Sequence, residues 1–213
     1  MAQGTCGRRL IGYPWNGVEG DVGMVQEGVA QSRGHRPSFK EIVLKSAIVH
    51  TATYFVVGAS AFYAFNYAES FSTGPLAEIM RPTSDPMVAA GPMFQPIRGV
   101  LFGLVFYMLR DFLFVRNRGW LIMWVMLAIL GILNTFGASP GSIEGAIYTK
   151  FTISTLYEFS LIEVYGQALL LSVGVFYWVR NPHLRWLDWG FSIFAGLAIL
   201  ASLAGTFLEP MAV

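Results

Sequence analysis

Charge is what this chain has least of. Of 213 residues, only 13% are Asp, Glu, Lys or Arg, where a soluble domain carries about a quarter. With 54% hydrophobic residues and a mean hydropathy of +0.53, the apolar surface is too large to hide inside one small water-soluble globule, and a bilayer is the expected solvent. Cysteine is almost missing: Cys6 stands alone, which excludes an internal disulfide, and no metal ligands cluster around it. Histidine is scarce too. His50 is the only one inside an apolar segment, so neither a bis-imidazole haem site nor a typical catalytic zinc site is expected, and the residue reads as a hydrogen-bonded packing group near Thr53 or Tyr54. No basic groove with interleaved aromatics occurs, which leaves nucleic-acid binding without a footprint. HExxH, Walker A and a GxGxxG opening a βαβ unit are absent, and no cofactor is implied. There is no fixed-period repeat and no pair of matched broken helices, so the inverted-repeat signature of many transporters is missing.

What is present is a series of apolar runs behind a polar arm. Residues 1–40 are Gly-rich and basic, with Pro14, Pro37 and five Lys or Arg residues including Arg8, Arg33 and Lys40, and they read as a soluble, loosely structured arm. The first long apolar stretch begins after this arm, which does not fit a cleavable signal peptide. Residues 41–213 read as an all-α polytopic transmembrane bundle of about five spans. The predicted spans are Ile42–Phe65, Phe94–Val115, Trp120–Phe136, Leu161–Val179 and Trp186–Leu208, with outer loops at 66–92 and 137–160. The second is the least orthodox, because its purely apolar run is bracketed by Arg98 and by Arg110 with Asp111.

Counting basic residues near span ends gives the orientation. The arm, Arg116 with Arg118, and Arg180 with Arg185 share one side, whereas Arg81 and Lys150 lie on the other. The positive-inside rule then places the N-terminus in the cytoplasm and the C-terminus outside. Trp120, Trp178, Trp186 and Trp189 fall at the same predicted cytoplasmic boundary.

Charged groups inside spans require a partner or water. Arg98 and Glu163 each enter a span about one turn from the outer end, so equal depth predicts an Arg98–Glu163 pair, the alternative being that Arg98 snorkels to lipid headgroups and Glu163 sits in interfacial water. Gln167 lies one turn below Glu163 on the same helix face. If the loop after Gly141 folds back, Glu144 and Tyr148 join Arg98, Gln95 and Glu163 in an outward-opening polar cluster that is either structural or ligand-binding. On the inner side, Lys45 and Asp111 stand at comparable depth and are predicted to form an ion pair. Gly99 with Gly103, and Ala201 with Gly205, make small-residue faces suited to close helix contact, either within the chain or between copies.

The stretch from Pro140 to Tyr148 (Pro-Gly-Ser-Ile-Glu-Gly-Ala-Ile-Tyr), together with Gly91 to Gly99, resembles patterns in uncharacterised bacterial multi-pass membrane proteins. That resemblance covers the chain from about Ile48 onward and implies no named activity. Three functions are compatible with these residues. A non-enzymatic accessory or assembly subunit of a larger membrane complex is the leading expectation, with the bilayer and membrane-protein partners or further copies of the chain as its contacts. A small oligomeric transporter or channel with a polar path near Arg98 and Glu163 is the second. An outer-face enzyme acting on a lipid-like substrate is the third. The absence of a targeting signal points to a bacterial inner membrane.

Overall fold

Ser38 sets where the first long helix begins. Its backbone is extended (φ −75°, ψ 162°) and its hydroxyl accepts from the Glu41 amide at 3.2 Å, which satisfies one of the donors that a helix start leaves open. From there α1 (Phe39–Ala64) runs 26 residues, about 39 Å at 1.5 Å per residue. The computed structural model describes residues 36–73, 75–78, 80–137, 139, 141–149 and 153–207, and side chains within them except 75, 76 and 153–160. The expected arm, with Cys6, therefore lies outside the described residues apart from its last five, as does Lys150.

All regular structure among the described residues is helical. After α1 come α2 (Tyr67–Thr73), a 3₁₀ turn (Pro75–Glu78), α3 (Pro86–Ala89) and a second 3₁₀ turn (Gly91–Phe94) that leads into α4 (Gln95–Met108). A short α5 (Arg110–Leu113) follows, then α6 (Gly119–Ala128) with a π-helical end (Ile129–Leu133), α7 (Ile143–Tyr148), α8 (Ile153–Arg180) and α9 (Arg185–Phe207). Both expected outer loops thus contain short helices, and α8 starts eight residues before the predicted Leu161.

The described residues from Pro37 onward form one compact unit, and α1 is its centre. On one side α4 runs antiparallel to it in constant register. Phe39 packs edge-on against Tyr107 at 5.1 Å, Gly103 lies against Val43 and Gly99 against Ala47, His50 meets Gln95, and the Tyr54 hydroxyl lies beside Gly91. The Gly99/Gly103 face is therefore used inside the chain. On another side α8 is also antiparallel to α1, with Val49 fitted over Gly174 and Lys45 reaching the Trp178 carbonyl at 3.0 Å. In turn, α6 packs on α8, where the Trp124 indole donates to the Tyr165 carbonyl at 3.1 Å. The main apolar core, around Ile42, Val49, Phe106, Met123, Leu171 and Val175, fills the end of the bundle nearest Ser38.

Among the described residues, three helical segments are long and apolar enough to cross a membrane: Phe39–Ala64, Leu161–Arg180 and Arg185–Phe207. The other two predicted spans are shorter as helices. α4 has 14 residues, about 21 Å, because Gly91-Pro92 starts a 3₁₀ turn before it and the chain breaks at Leu109 ahead of Arg110 and Asp111. Gly119–Leu133 is likewise an apolar helix below spanning length.

α9 is tied at both ends. Near its start, Asp188 accepts from the Trp178 indole at 2.6 Å, and Trp178 stacks on Phe191 at 5.3 Å. Trp178 is thus only 3% exposed, a core residue rather than part of an interfacial belt, while Trp186 and Trp189 are 68% and 70% exposed. Near its end, Ser202 donates to the Ala89 carbonyl at 2.6 Å and Gly205 faces Ala89. The small-residue face in use is Ala195, Ala198, Ser202 and Gly205, and the expected Ala201 is exposed.

The α3 dock depends on Asp85, which caps α3 by accepting from the Met87 amide at 2.8 Å and pairs with Arg81 at 2.8 Å. The Arg81 hydrogen bond and then the Met87 amide hold its carboxyl below the ordinary 3.8. A depressed carboxyl stabilises the fold above its unfolded value and loses that contribution as pH falls through the folded one. Hydrogen exchange at the Met87 amide should therefore be pH-independent in protection near neutrality and lose protection below about pH 4. Protection that persists unchanged in Asp85→Ala, which removes the accepting oxygen, would show the cap to be irrelevant.

Candidate functional site

The polar side chains of α1 that face α4 are Ser46, His50 and Tyr54, spaced four residues apart and therefore stacked on one helix face. Ser46 is fully buried, His50 is 2% exposed, and Gln95 opposite it is 5% exposed. Gln95 Nε2 donates to the Gly91 carbonyl at 2.9 Å, which fixes the amide so that Oε1 points at the imidazole. The 3.1 Å contact between His50 Nε2 and Gln95 Oε1 then requires a proton on Nε2, because an amide oxygen can only accept. In the neutral ring Nδ1 is left as an acceptor, and it is buried with no hydrogen-bond partner among the described residues, as is Ser46 Oγ. Phe102 closes over the ring edge-on at 5.0 Å.

Glu163 finds its partner on α2. The chain turns at Asn66, a non-glycine residue with φ 46°, and Asn66 donates to the Glu69 carboxylate at 2.7 Å. This turn brings the Tyr67 hydroxyl to donate a short hydrogen bond to Glu163. Burial, and then the Glu163 carboxylate, push the Tyr67 hydroxyl pKa well up, so Tyr67 stays a donor throughout the physiological range. Tyr67 also stacks on Phe71 at 4.7 Å.

The residues expected to gather in one outer cluster are thus distributed. Arg98 is exposed on α4 and has no ion pair among the described residues, although its charge acts on His50 and Tyr54. Glu163 is held by Tyr67, and Gln95 by His50 and Gly91. Gln167 is one turn along α8 from Glu163, and its Nε2 is buried without a partner among the described residues. Glu144 lies half-buried in the first turn of α7 and Tyr148 is 74% exposed. Neither makes a side-chain hydrogen bond to Arg98, Gln95 or Glu163 among the described residues. Equal depth along the membrane normal places groups at one level but does not set which way each helix is turned.

The expected inner pair is also replaced. Lys45 donates to Glu41 at 2.8 Å and to the Trp178 carbonyl at 3.0 Å. The Asp111 side chain is 67% exposed and lies 3.9 Å from its neighbour Arg110, which itself stacks on the Tyr107 ring at 4.2 Å. A partner one turn away on the same helix is available to Lys45 before any tertiary contact forms, and the pattern Glu41-x-x-x-Lys45 was the signal for it.

One spacing escaped the sequence reading. Gly137, Ser139 and Gly141 follow the GxSxG pattern of a nucleophile elbow, which sits between a strand and a helix. Here the segment connects the π-helical end of α6 to α7, and Ser139 is 2.9 Å from the Thr135 hydroxyl. That is a turn contact, with no base attached. Among the described residues no three His, Cys, Asp or Glu side chains are placed to hold a metal. The chain matches no protein-family model, and neither a curated protein nor a solved structure matches it.

Proposed function

We propose that this chain is a five-crossing integral membrane protein of a bacterial inner membrane, N-terminus in the cytoplasm and C-terminus outside, acting as a non-enzymatic accessory or assembly subunit of a larger membrane complex. Together with the 3₁₀ turn before it, α4 accompanies α1 in antiparallel register from the Phe39 level to the Tyr54 level, which supports reading this segment as a crossing despite the length of its helix.

The observation that carries the functional reading is the outward face of α4. Ile97, Leu101, Val105 and Met108 are 63%, 58%, 45% and 81% exposed, and Arg98 stands among them without a counter-charge from the described residues. An arginine on an apolar face in the membrane calls for a carboxylate or a phosphate, and a partner helix carrying a carboxylate satisfies both the charge and the apolar surface. The test is mild-detergent purification with quantitation of co-migrating partners for wild type, Arg98→Lys and Arg98→Ala. Arg98→Ala should reduce the assembled fraction by about tenfold or more, as for truncating one side of an interfacial charge pair, with Arg98→Lys retaining part of it. An Arg98→Ala chain that remains in an intact complex at normal abundance sinks the reading.

A second reading, a small oligomeric transporter or channel, is favoured by one observation: His50 Nδ1, Ser46 Oγ and Gln167 Nε2 are buried polar atoms without partners among the described residues. Such groups are usually satisfied by water, as they would be along a polar path. It predicts that Glu163→Gln changes flux at unchanged expression; flux equal to wild type removes Glu163 from any such path.

A further inference from the structure

A groove of about 380 Å³ opens between α1, α8 and α9, within the range of about 300–1,000 Å³ usual for ligand sites. Its walls include Ala52 and Val56 of α1, Leu170 of α8, and Trp186, Gly190 and Phe194 of α9. All three helices contain segments long and apolar enough to cross a bilayer. The groove thus lies between helices that length and composition suit to a bilayer. Thr53, the one hydroxyl-bearing residue at its edge, spends that hydroxyl on the Val49 and His50 carbonyls, leaving an apolar lining.

Its shape follows from α9. Trp186, Gly190 and Phe194 recur every four residues and form a stripe along the helix axis, with an aromatic ring at each end and a glycine between them. Around Gly190 no atom lies within 4 Å of where a Cβ would stand. The space is a slot lengthwise along the helix, the form of an extended chain rather than of a rounded ligand.

A basic residue adjoins one end of the slot in sequence. Arg185 precedes Trp186, is exposed, and makes no ion pair among the described residues. Of the neighbouring charged side chains, Arg180 donates to Asn117 Oδ1 at 3.3 Å and to the Arg116 carbonyl at 3.4 Å, and Asp188 is turned to accept from the Trp178 indole. A basic residue at the end of an apolar slot in a membrane complements an amphiphile with an anionic head.

We propose that this groove binds one acyl chain of an anionic phospholipid, with the phosphate at Arg185 and the chain running past Trp186 and Gly190 toward Phe194. This site is separate from the α4 face and does not depend on the subunit reading. Native mass spectrometry of the full chain in detergent, titrated separately with phosphatidylglycerol and phosphatidylcholine, tests it. Wild type should retain a single phosphatidylglycerol with about fivefold preference over phosphatidylcholine, the factor expected from one basic residue at a membrane surface. Arg185→Gln should lose that preference while still binding lipid. Gly190→Leu fills the slot from an open position and should weaken retention of both lipids about tenfold. Equal retention of the two lipids by wild type, or an unchanged preference in Arg185→Gln, overturns the headgroup assignment. A folded Gly190→Leu protein that keeps its lipid overturns the slot. Should Gly190→Leu not fold, Arg185→Gln carries the test by itself, since its exposed side chain supports no contact of the bundle.

Discussion

Replacing Gly99 with alanine should destabilise the bundle by about 2–3 kcal/mol, and replacing it with leucine should prevent accumulation of folded protein. A methyl group at Gly99 would collide with the Ala47 Cα and stand 2.9 Å from the Ser46 carbonyl oxygen; at Gly103 it would stand 2.7 Å from the Val43 Cα. These obstacles are backbone atoms of α1, so no rotamer change relieves them, and α4 must move away from α1 as a whole. Moving it separates His50 from Gln95, each nearly fully buried, and exposes neither to bulk water. The better helix propensity of alanine returns only about 1 kcal/mol. Gly190→Ala, at a position with open space, is the matched control and should be neutral or slightly stabilising. Equilibrium unfolding in mixed micelles measures the difference. A Gly99→Ala protein as stable as Gly190→Ala would mean that α4 does not lie where the structure places it.

The features legible in the sequence were those that depend on distance along a helix. The first predicted span, Ile42–Phe65, corresponds to α1 at Phe39–Ala64, and the fifth, Trp186–Leu208, to α9 at Arg185–Phe207, because an apolar run of that length has few other solutions. The GxxxG spacing of Gly99 and Gly103 marked a close contact, though only the structure identifies α1 as its partner. Side-chain pairing was not legible, for a rotational reason. Arg98 precedes Gly99 by one residue, about 100° around α4, so once Gly99 faces α1 the arginine is turned to the flank. Depth alone had matched it with Glu163, which the turn at Asn66 supplies with Tyr67 instead. Trp178 was read as interfacial because indoles favour that level; Asp188, ten residues later, provides the acceptor that lets it be buried. The break between α4 and α5 was signalled by Arg110 and Asp111, yet an apolar count across Phe94–Val115 smoothed it over.

Lys45→Met should lower stability by about 3–5 kcal/mol, the cost of breaking a buried pair by removing one side. The reason lies in the end of α8. The Trp178 carbonyl would ordinarily accept from the amide four residues later, but that residue is Pro182, which has no N–H. Lys45 supplies the missing donor at 3.0 Å, while Glu41 balances its charge at 2.8 Å. The ammonium also lies 5.4 Å from the Trp178 ring centroid, and a cation at a helix C-terminus is favoured by the helix dipole. One 9%-exposed lysine thus joins α1 to the last turn of α8 through an acceptor that the local sequence cannot satisfy. Methionine preserves the volume but not the donor, so the loss reads the polar contacts rather than a cavity. Adding Glu41→Gln should recover part of the loss by removing the carboxylate charge that Lys45 balances, and not all of it, because the Trp178 carbonyl still lacks its lysine. Asp111→Asn separates this arrangement from the pairing inferred by depth. With its side chain 67% exposed, Asp111 should be replaceable within about 0.5 kcal/mol. A large effect of Asp111→Asn together with a small one of Glu41→Gln, in the same unfolding assay, would reverse the assignment and return Lys45 to Asp111.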